Sequence, residues 1–155
     1  MASIPIDADA LAALHETLHR EMPICVAMDI RPTAWDAGRL SMRMPLEPNR
    51  NHQYSAFAGS LNALCTTAGW GAVFLLLRSE GLEGNIVIRR GEIRYLRPVR
   101  SPQIVAQTLP VDADAEGFFF ELLRSKGRSK IDVSAEIADA EGVLVRFTGA
   151  YVIQD

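Results

Sequence analysis

The chain has 155 residues, about one domain's length, enough to bury a single sizeable core and too few for a catalytic domain beside a separate binding domain. A charged fraction of 23% with a hydrophobic fraction of 48% excludes a disordered chain, and a net charge of −3 argues against bulk nucleic-acid binding. In chain order, Asp7 or Asp9 can cap a first helix in which Leu11, Leu14, Leu18 and Met22 recur at three- and four-residue steps, until Pro23 closes it. Met1 to Asp9 has neither a positive charge nor an apolar run of the secretory-signal kind. Ile24, Val26, Met28 and Ile30 then alternate with Cys25, Ala27, Asp29 and Arg31, the period of a strand, which Pro32 should end. Asp36, Ala37 and Gly38 read as a turn into a second strand, with Leu40, Met42 and Met44 on one face and Ser41 and Arg43 on the other, so the two strands form a hairpin.

Glu47 to Ala56 is polar and irregular and reads as a loop. From Gln53 to Leu77 there is no Asp, Glu, Lys or Arg, where a uniform distribution would place about six. A run this long could cross a bilayer if helical. Ser55, Ser60, Asn62, Thr66, Thr67 and the three glycines Gly59, Gly69 and Gly71 dilute it, however, and its flanks lack a basic cluster and paired aromatic belts, so no membrane span is expected. Phe57 to Ser79 is helical in pattern and apolar nearly all round, and a helix with no polar face has to be surrounded.

Gly81 and Gly84 bracket its exit. Ile86 and Ile88 share one parity and Ile93 and Tyr95 the other, with Gly91 between them where a bulge would restore the phase. Pro98 stops this strand, and a weaker one carrying Ile104, Ala106 and Thr108 ends at Pro110. A short helix is expected between Asp114 and Gly127, with Phe118, Phe119, Leu122 and Leu123 on its apolar side. Ile131, Val133, Ala135 and Ile137 alternate cleanly, a turn follows at Ala140 to Gly142, and Val143, Val145, Phe147, Gly149, Tyr151 and Ile153 complete a hairpin. Strands grouped in this way, without a repeat or linker, predict a single α+β domain over residues 1–155 in which one antiparallel sheet wraps the uncharged helix. Cys25 and Cys65 make neither a metal-ligand spacing nor a disulfide framework, which points to no metal and to a reducing, cytoplasmic setting.

Three stretches resemble the hotdog-fold acyl thioesterases, closest to thioesterase domains sometimes attached to acetyltransferases. They are Arg50-Asn51-His52 with Phe57-Ala58-Gly59-Ser60, the run Ile93-Arg94-Tyr95-Leu96-Arg97-Pro98-Val99, and the closing strand around Gly149 and Tyr151. The resemblance implies a curved antiparallel sheet around a long central helix, and a homodimer or dimer of dimers with the site between subunits. The substrate it implies is a small-molecule acyl thioester whose coenzyme A or acyl carrier protein is part of the substrate, with no separate cofactor. The departures are specific. Phe57 stands where relatives have His, Ala58 where they have the first Gly, and Thr66, seven residues after Gly59, where many carry Asp or Glu.

Thioester hydrolysis needs a donor for the carbonyl oxygen, a positioned water or nucleophile, and an acceptor for the water's proton. The start of the central helix can supply the donor through the backbone N–H of Ala58 or Gly59, although a helix-start glycine is equally a plain cap. Asn51 is the candidate orienting group, with an Asn turned onto its own loop as the alternative. His52 is the one side chain of this loop that titrates near neutrality, hence the candidate base, with a surface histidine of no role beside it. Thr66 and Thr67 could hold water or bond back to helix carbonyls, and Ser60 and Asn62 stand in the same position. Cys65 has no adjacent base and reads as a small buried hydrophobe. Met42, Met44, Phe57, Trp70 and Phe74 fit either an acyl tunnel or core. Arg89, Arg90, Lys126 and Arg128 are candidates for the carrier's phosphates or are solvated surface. A non-hydrolytic acyl-binding or regulatory domain is the alternative function, since the helix carboxylate is missing. A hydratase of the same fold is disfavoured by the absence of both the usual His and the acidic helix residue.

Overall fold

A computed structural model describes residues 8–154. Helix α1 (Ala8–Glu21) buries Leu14 and Leu18 fully, with Leu11 and Met22 partly buried beside them. Asp9 lies within its first turn, and Asp7 lies outside the described residues. The expected strand from Ile24 to Ile30 is instead a short helix, α2 (Pro23–Ala27). Pro23 sits where the first helical residue has no N–H partner to lose. Asp29, at φ 55°, then turns the chain, and Ile30 N–H donates to Cys25 O. In so short a piece alternation fits either conformation, and Ile24 and Val26 are in fact exposed around a buried Cys25.

The first strand is therefore displaced one element along, to β1 (Arg31–Asp36), and it contains the proline expected to end it. Pro32 is tolerated because β1 is an edge strand. The turn at Ala37 and Gly38, both at positive φ, leads into β2 (Arg39–Pro45), whose Leu40, Met42 and Met44 are fully buried. A 3-10 turn over Glu47–Asn49 precedes the central helix α3 (Ala58–Ser79). Then come β3 (Asn85–Tyr95), β4 (Gln103–Thr108), α4 (Ala113–Lys126), β5 (Arg128–Asp139) and β6 (Gly142–Gln154). The bulge in β3 falls at Arg89, between the pairs Ile88–Tyr151 and Arg90–Ala150, two residues before Gly91. This shift leaves Ile86 and Ile93 packed on the core, while Ile88 and Tyr95 are exposed. In α4 the apolar side is Phe119, Phe120 and Leu123, and Phe118 faces solvent at 62% exposure.

The six strands form one antiparallel sheet in the order β1-β2-β4-β5-β6-β3. It curves around α3, which touches β2, β3, β4, β5 and β6, and the architecture is that of the hotdog fold. α3 is long and apolar enough by length and composition to cross a membrane, yet two-thirds of its apolar window is buried inside the domain. Leu64, Val73, Leu75 and Leu77 are almost fully enclosed, each contributing about 1.5–3 kcal/mol by leaving water. Close approach of the sheet depends on Gly69, where a β-carbon would overlap the hydroxyl of Tyr151. That hydroxyl, from β6, donates to the Thr66 carbonyl at 2.7 Å.

Gly69→Ala should therefore lower stability by about 1–3 kcal/mol in denaturant unfolding, the usual cost of overpacking a rigid site. Gly117→Ala, inside α4 with open space around the added carbon, should raise stability by roughly 0.5–1 kcal/mol. Equal effects of the two changes would contradict this packing.

Candidate active site

The loop before α3 is pinned at both ends. Leu46 N–H donates to Pro102 O and Ala56 N–H to Val99 O, each within 2.9 Å, so the loop lies along the segment that follows β3. Inside it Asn49 is buried, and its side-chain Nδ2 donates to Met28 O and Pro45 O while its backbone carbonyl accepts from Phe57 N–H. Asn51 is spent on its own turn. Its Oδ1 accepts from Gln53 N–H and Ser55 N–H, and its Nδ2 donates to Ser55 Oγ. The turn holds Tyr54 at φ 62°, a left-handed conformation costly for an aromatic residue, with the Arg50 guanidinium 4.4 Å from the ring centre. His52 stands exposed on this turn.

Phe57, extended at φ −63° and ψ 131°, is the N-cap of α3 and offers no side-chain acceptor. Among the described residues nothing accepts from the N–H groups of Ala58, Gly59 or Ser60, and Leu61 N–H is the first that is bonded, to Phe57 O. Three aligned donors at the positive end of a 22-residue helix therefore face outward. Tyr95, the last residue of β3, donates through its hydroxyl to the Ala58 carbonyl at 3.1 Å and so ties the sheet to the first helical residue. Burial, with the nearby Cys65 thiol second, raises the Tyr95 pKa and keeps it a donor.

One stripe of α3 is less covered than the rest, although its Trp70 donates through Nε1 to Ile86 O of β3 at 3.1 Å. Asn62 is exposed, and Thr66, Trp70 and Phe74 follow it half-buried at four-residue steps, with Ala63, also half-buried, beside them. Thr66 Oγ1 donates to Asn62 Oδ1 at 3.3 Å, a polar pair on this stripe four residues in from the free N–H groups. Thr67 faces the other way and is buried, its hydroxyl bonded to Ala63 O at 2.7 Å. Cys65 is fully buried, and burial pushes its thiol up to about 12, which makes it a poor nucleophile. Met42 and Met44 belong to the core, whereas Trp70 stacks on Phe74 with ring centres 5.6 Å apart.

The fold thus sets Ala58, Asn62 and Thr66 at four-residue steps along one face of α3, with Gly59 and Ser60 in the same first turn, and leaves the basic candidates away from it. Arg89 and Arg90 lie mid-strand in β3. Lys126 and Arg128 lie toward the carboxyl end of α3, where Arg124 bonds Glu80 at 2.7 Å, roughly 30 Å from the helix start by the rise per residue. The sequence reading passed over Asn49, which looked like one more polar loop residue, and gave the Tyr95 and Tyr151 hydroxyls no task. A tyrosine ending a strand and another facing a helix glycine were the available signals.

The family described as "Putative thioesterase (yiiD_Cterm)" matches residues 11–155. Among solved structures, a protein of unknown function from Chlorobaculum tepidum is 28% identical, with 97% of each chain covered and a TM-score of 0.91. A putative thioesterase from Shewanella oneidensis is 29% identical over 95% of this chain and 99% of that one, with a TM-score of 0.86. A thioesterase from Haemophilus influenzae shares the fold at 20% identity, with a TM-score of 0.70 over 93% of this chain and 90% of that one.

Because the Cys65 thiol is held protonated by burial, it should resist iodoacetamide at pH 8 in the folded protein and react once denaturant is added. Linkage gives the sign of the pH effect. The folded pKa is above the unfolded one, so Cys65's contribution to stability is full below about pH 9 and falls as pH rises toward 12. The denaturation midpoint should therefore fall less steeply above pH 9 in Cys65→Ala than in the parent, and identical slopes would contradict the assignment.

Proposed function

The chain belongs to the putative thioesterase family of the yiiD C-terminal type, and from that membership we propose that it hydrolyses an acyl thioester carried on coenzyme A or an acyl carrier protein. The observation that carries the reading is the set of unpartnered N–H groups on Ala58, Gly59 and Ser60 above the Asn62–Thr66 pair. The thioester carbonyl oxygen accepts from Ala58 or Gly59 N–H, which stabilises the charge that grows on it as water attacks. Thr66 and Asn62 hold that water beside the helix start. His52 takes its proton, the new C–O bond forms, the C–S bond breaks, and the thiolate leaves and is protonated, giving a free acid and a thiol. Asn51 acts as a positioning residue through the turn it holds. Thr67, turned inward with its hydroxyl bonded to Ala63 O, has no part in this step.

The carrier's phosphates need cations, and a two-fold homodimer would supply them. β3 is a sheet edge with Val87, Ile88, Tyr95 and Leu96 exposed beside it, the kind of edge that pairs with a copy of itself. Antiparallel pairing of two β3 edges brings the Asn85 end of one chain next to the Tyr95 end of the other. The partner's Lys126 and Arg128, beside its Asn85 end, then approach this chain's helix start, a task no single chain allows, while Arg89 and Arg90 of both chains lie along the middle of the seam. A dimer of such dimers extends the same arrangement, and two unpaired buried cysteines suit a cytoplasmic setting.

A second reading, acyl binding without hydrolysis, is favoured by one observation: no carboxylate stands on the less covered stripe of α3. Thiol release measured over acyl-CoA and acyl-carrier substrates of graded chain length separates the two. Turnover is expected, with Thr66→Val lowering kcat by about 10–100-fold and a Lys126→Ala, Arg128→Ala double variant raising KM for coenzyme A substrates at nearly constant kcat. Saturable binding with no thiol released from any substrate would leave the binding reading standing.

A further inference from the structure

We propose that the cleft at the carboxyl end of α3 is a separate binding site for an amphipathic carboxylate of the fatty-acid type. Residues of both edge strands of the sheet, β1 and β3, line one cleft together with α1 and α3. The cleft measures about 1020 Å³, at the upper end of the range that encloses small-molecule ligands. Trp35 from β1, Phe74 from α3, Leu82, and Ile86 at the start of β3 wall it, and each of these side chains is only partly covered by the core. These four large side chains give the cleft an apolar wall, beside a polar lining that includes Thr17 and Ser79.

The polar part of the cleft is cationic. Arg20 and Arg78 line it together with Glu83, two positive charges and one negative, a net of +1. Arg20 is shared with Glu16 at 3.6 Å and Glu21 at 3.0 Å, both on the exposed face of α1. Arg78 makes no ion pair among the described residues. The backbone at this end of α3 is already satisfied, since the N–H groups of Glu80, Gly81 and Leu82 donate to the Leu77 and Arg78 carbonyls. What remains for a ligand is an apolar wall and a free guanidinium, which suits a hydrocarbon tail with one carboxylate. Gly59 and Arg78 are 19 residues apart on one helix, roughly 28 Å, so this site is distinct from the free N–H groups at the other end.

The sequence has two tryptophans, and Trp35 is in the cleft, so a Trp70→Phe variant makes it the sole indole reporter. Titration with dodecanoate below its micellar concentration should change the Trp35 fluorescence saturably. Arg78→Ala in that background should weaken dodecanoate about tenfold and leave the uncharged dodecanol unchanged. If Trp70→Phe impairs folding, the Trp35 indole N–H resonance of the unmodified protein gives the same titration by NMR. No saturable change at Trp35 would overturn the proposal, as would equal effects of Arg78→Ala on acid and alcohol. A Trp35 signal that tracks protein concentration instead of ligand would overturn it too, by assigning the cleft to a second copy of the chain.

Discussion

Everything in this molecule follows from one constraint: a 22-residue helix with almost no polar face has to be taken out of water by a single sheet. The sheet does this by bending, and the contacts that let it bend closely are small. Gly69 admits the Tyr151 hydroxyl, and Gly71 leaves room for Leu14 and Leu40, because a β-carbon at either position would press into those side chains. Six strands curved in this way have two edges, and those edges do not close over the helix. The less covered stripe and the cleft at its far end are the remainder of an incomplete wrap.

The same constraint leaves the start of the helix with unbonded N–H donors among the described residues. A helix in the centre of a domain must enter through the open end of the sheet, where its first N–H groups have no strand to bond. Here the entry is built firmly. Asn49, Asn51, Tyr95 and Val99 each tie the incoming loop or the first helical residue to a neighbour. None of these bonds reaches the N–H groups of Ala58 to Ser60, so the donors are rigidly placed and unspent. Preorganised donors of this kind act on charge that develops in the reaction and need no rearrangement at that moment. In the proposed reaction they would stabilise that charge where Thr66 stands in place of a helix carboxylate.

Long elements were legible in the sequence, because many residues vote for their period. The central helix, the β5–β6 hairpin and β2 fall where alternation or its absence put them. Short elements were not. Ile24 to Ile30 alternates over too few residues to tell a strand from a helix opened by Pro23, and Phe118 differs from Phe120 only in which side of α4 meets β5. The site was legible as a segment and not as an arrangement. The polar loop and helix start were found from their residue types, but direction along the helix stripe decides that Thr66 is open to solvent and Thr67 is turned inward. The basic residues were recognised as a class, and only the strand register shows that within one chain they lie far from the helix start.

The central claim is that a backbone N–H at the start of α3 polarises the thioester. Proline at position 58 removes that N–H while keeping helical geometry, because the first helical residue accepts proline and Phe57 already has the extended conformation that a following proline requires. Steady-state thiol release by a folded Ala58→Pro variant is therefore the most direct measurement. The account predicts a loss of about 10²–10³ in kcat with a small change in KM, either in Ala58→Pro or, if the neighbouring amide is the donor, in Gly59→Pro. Full kcat in both variants, with unchanged folding, would contradict it.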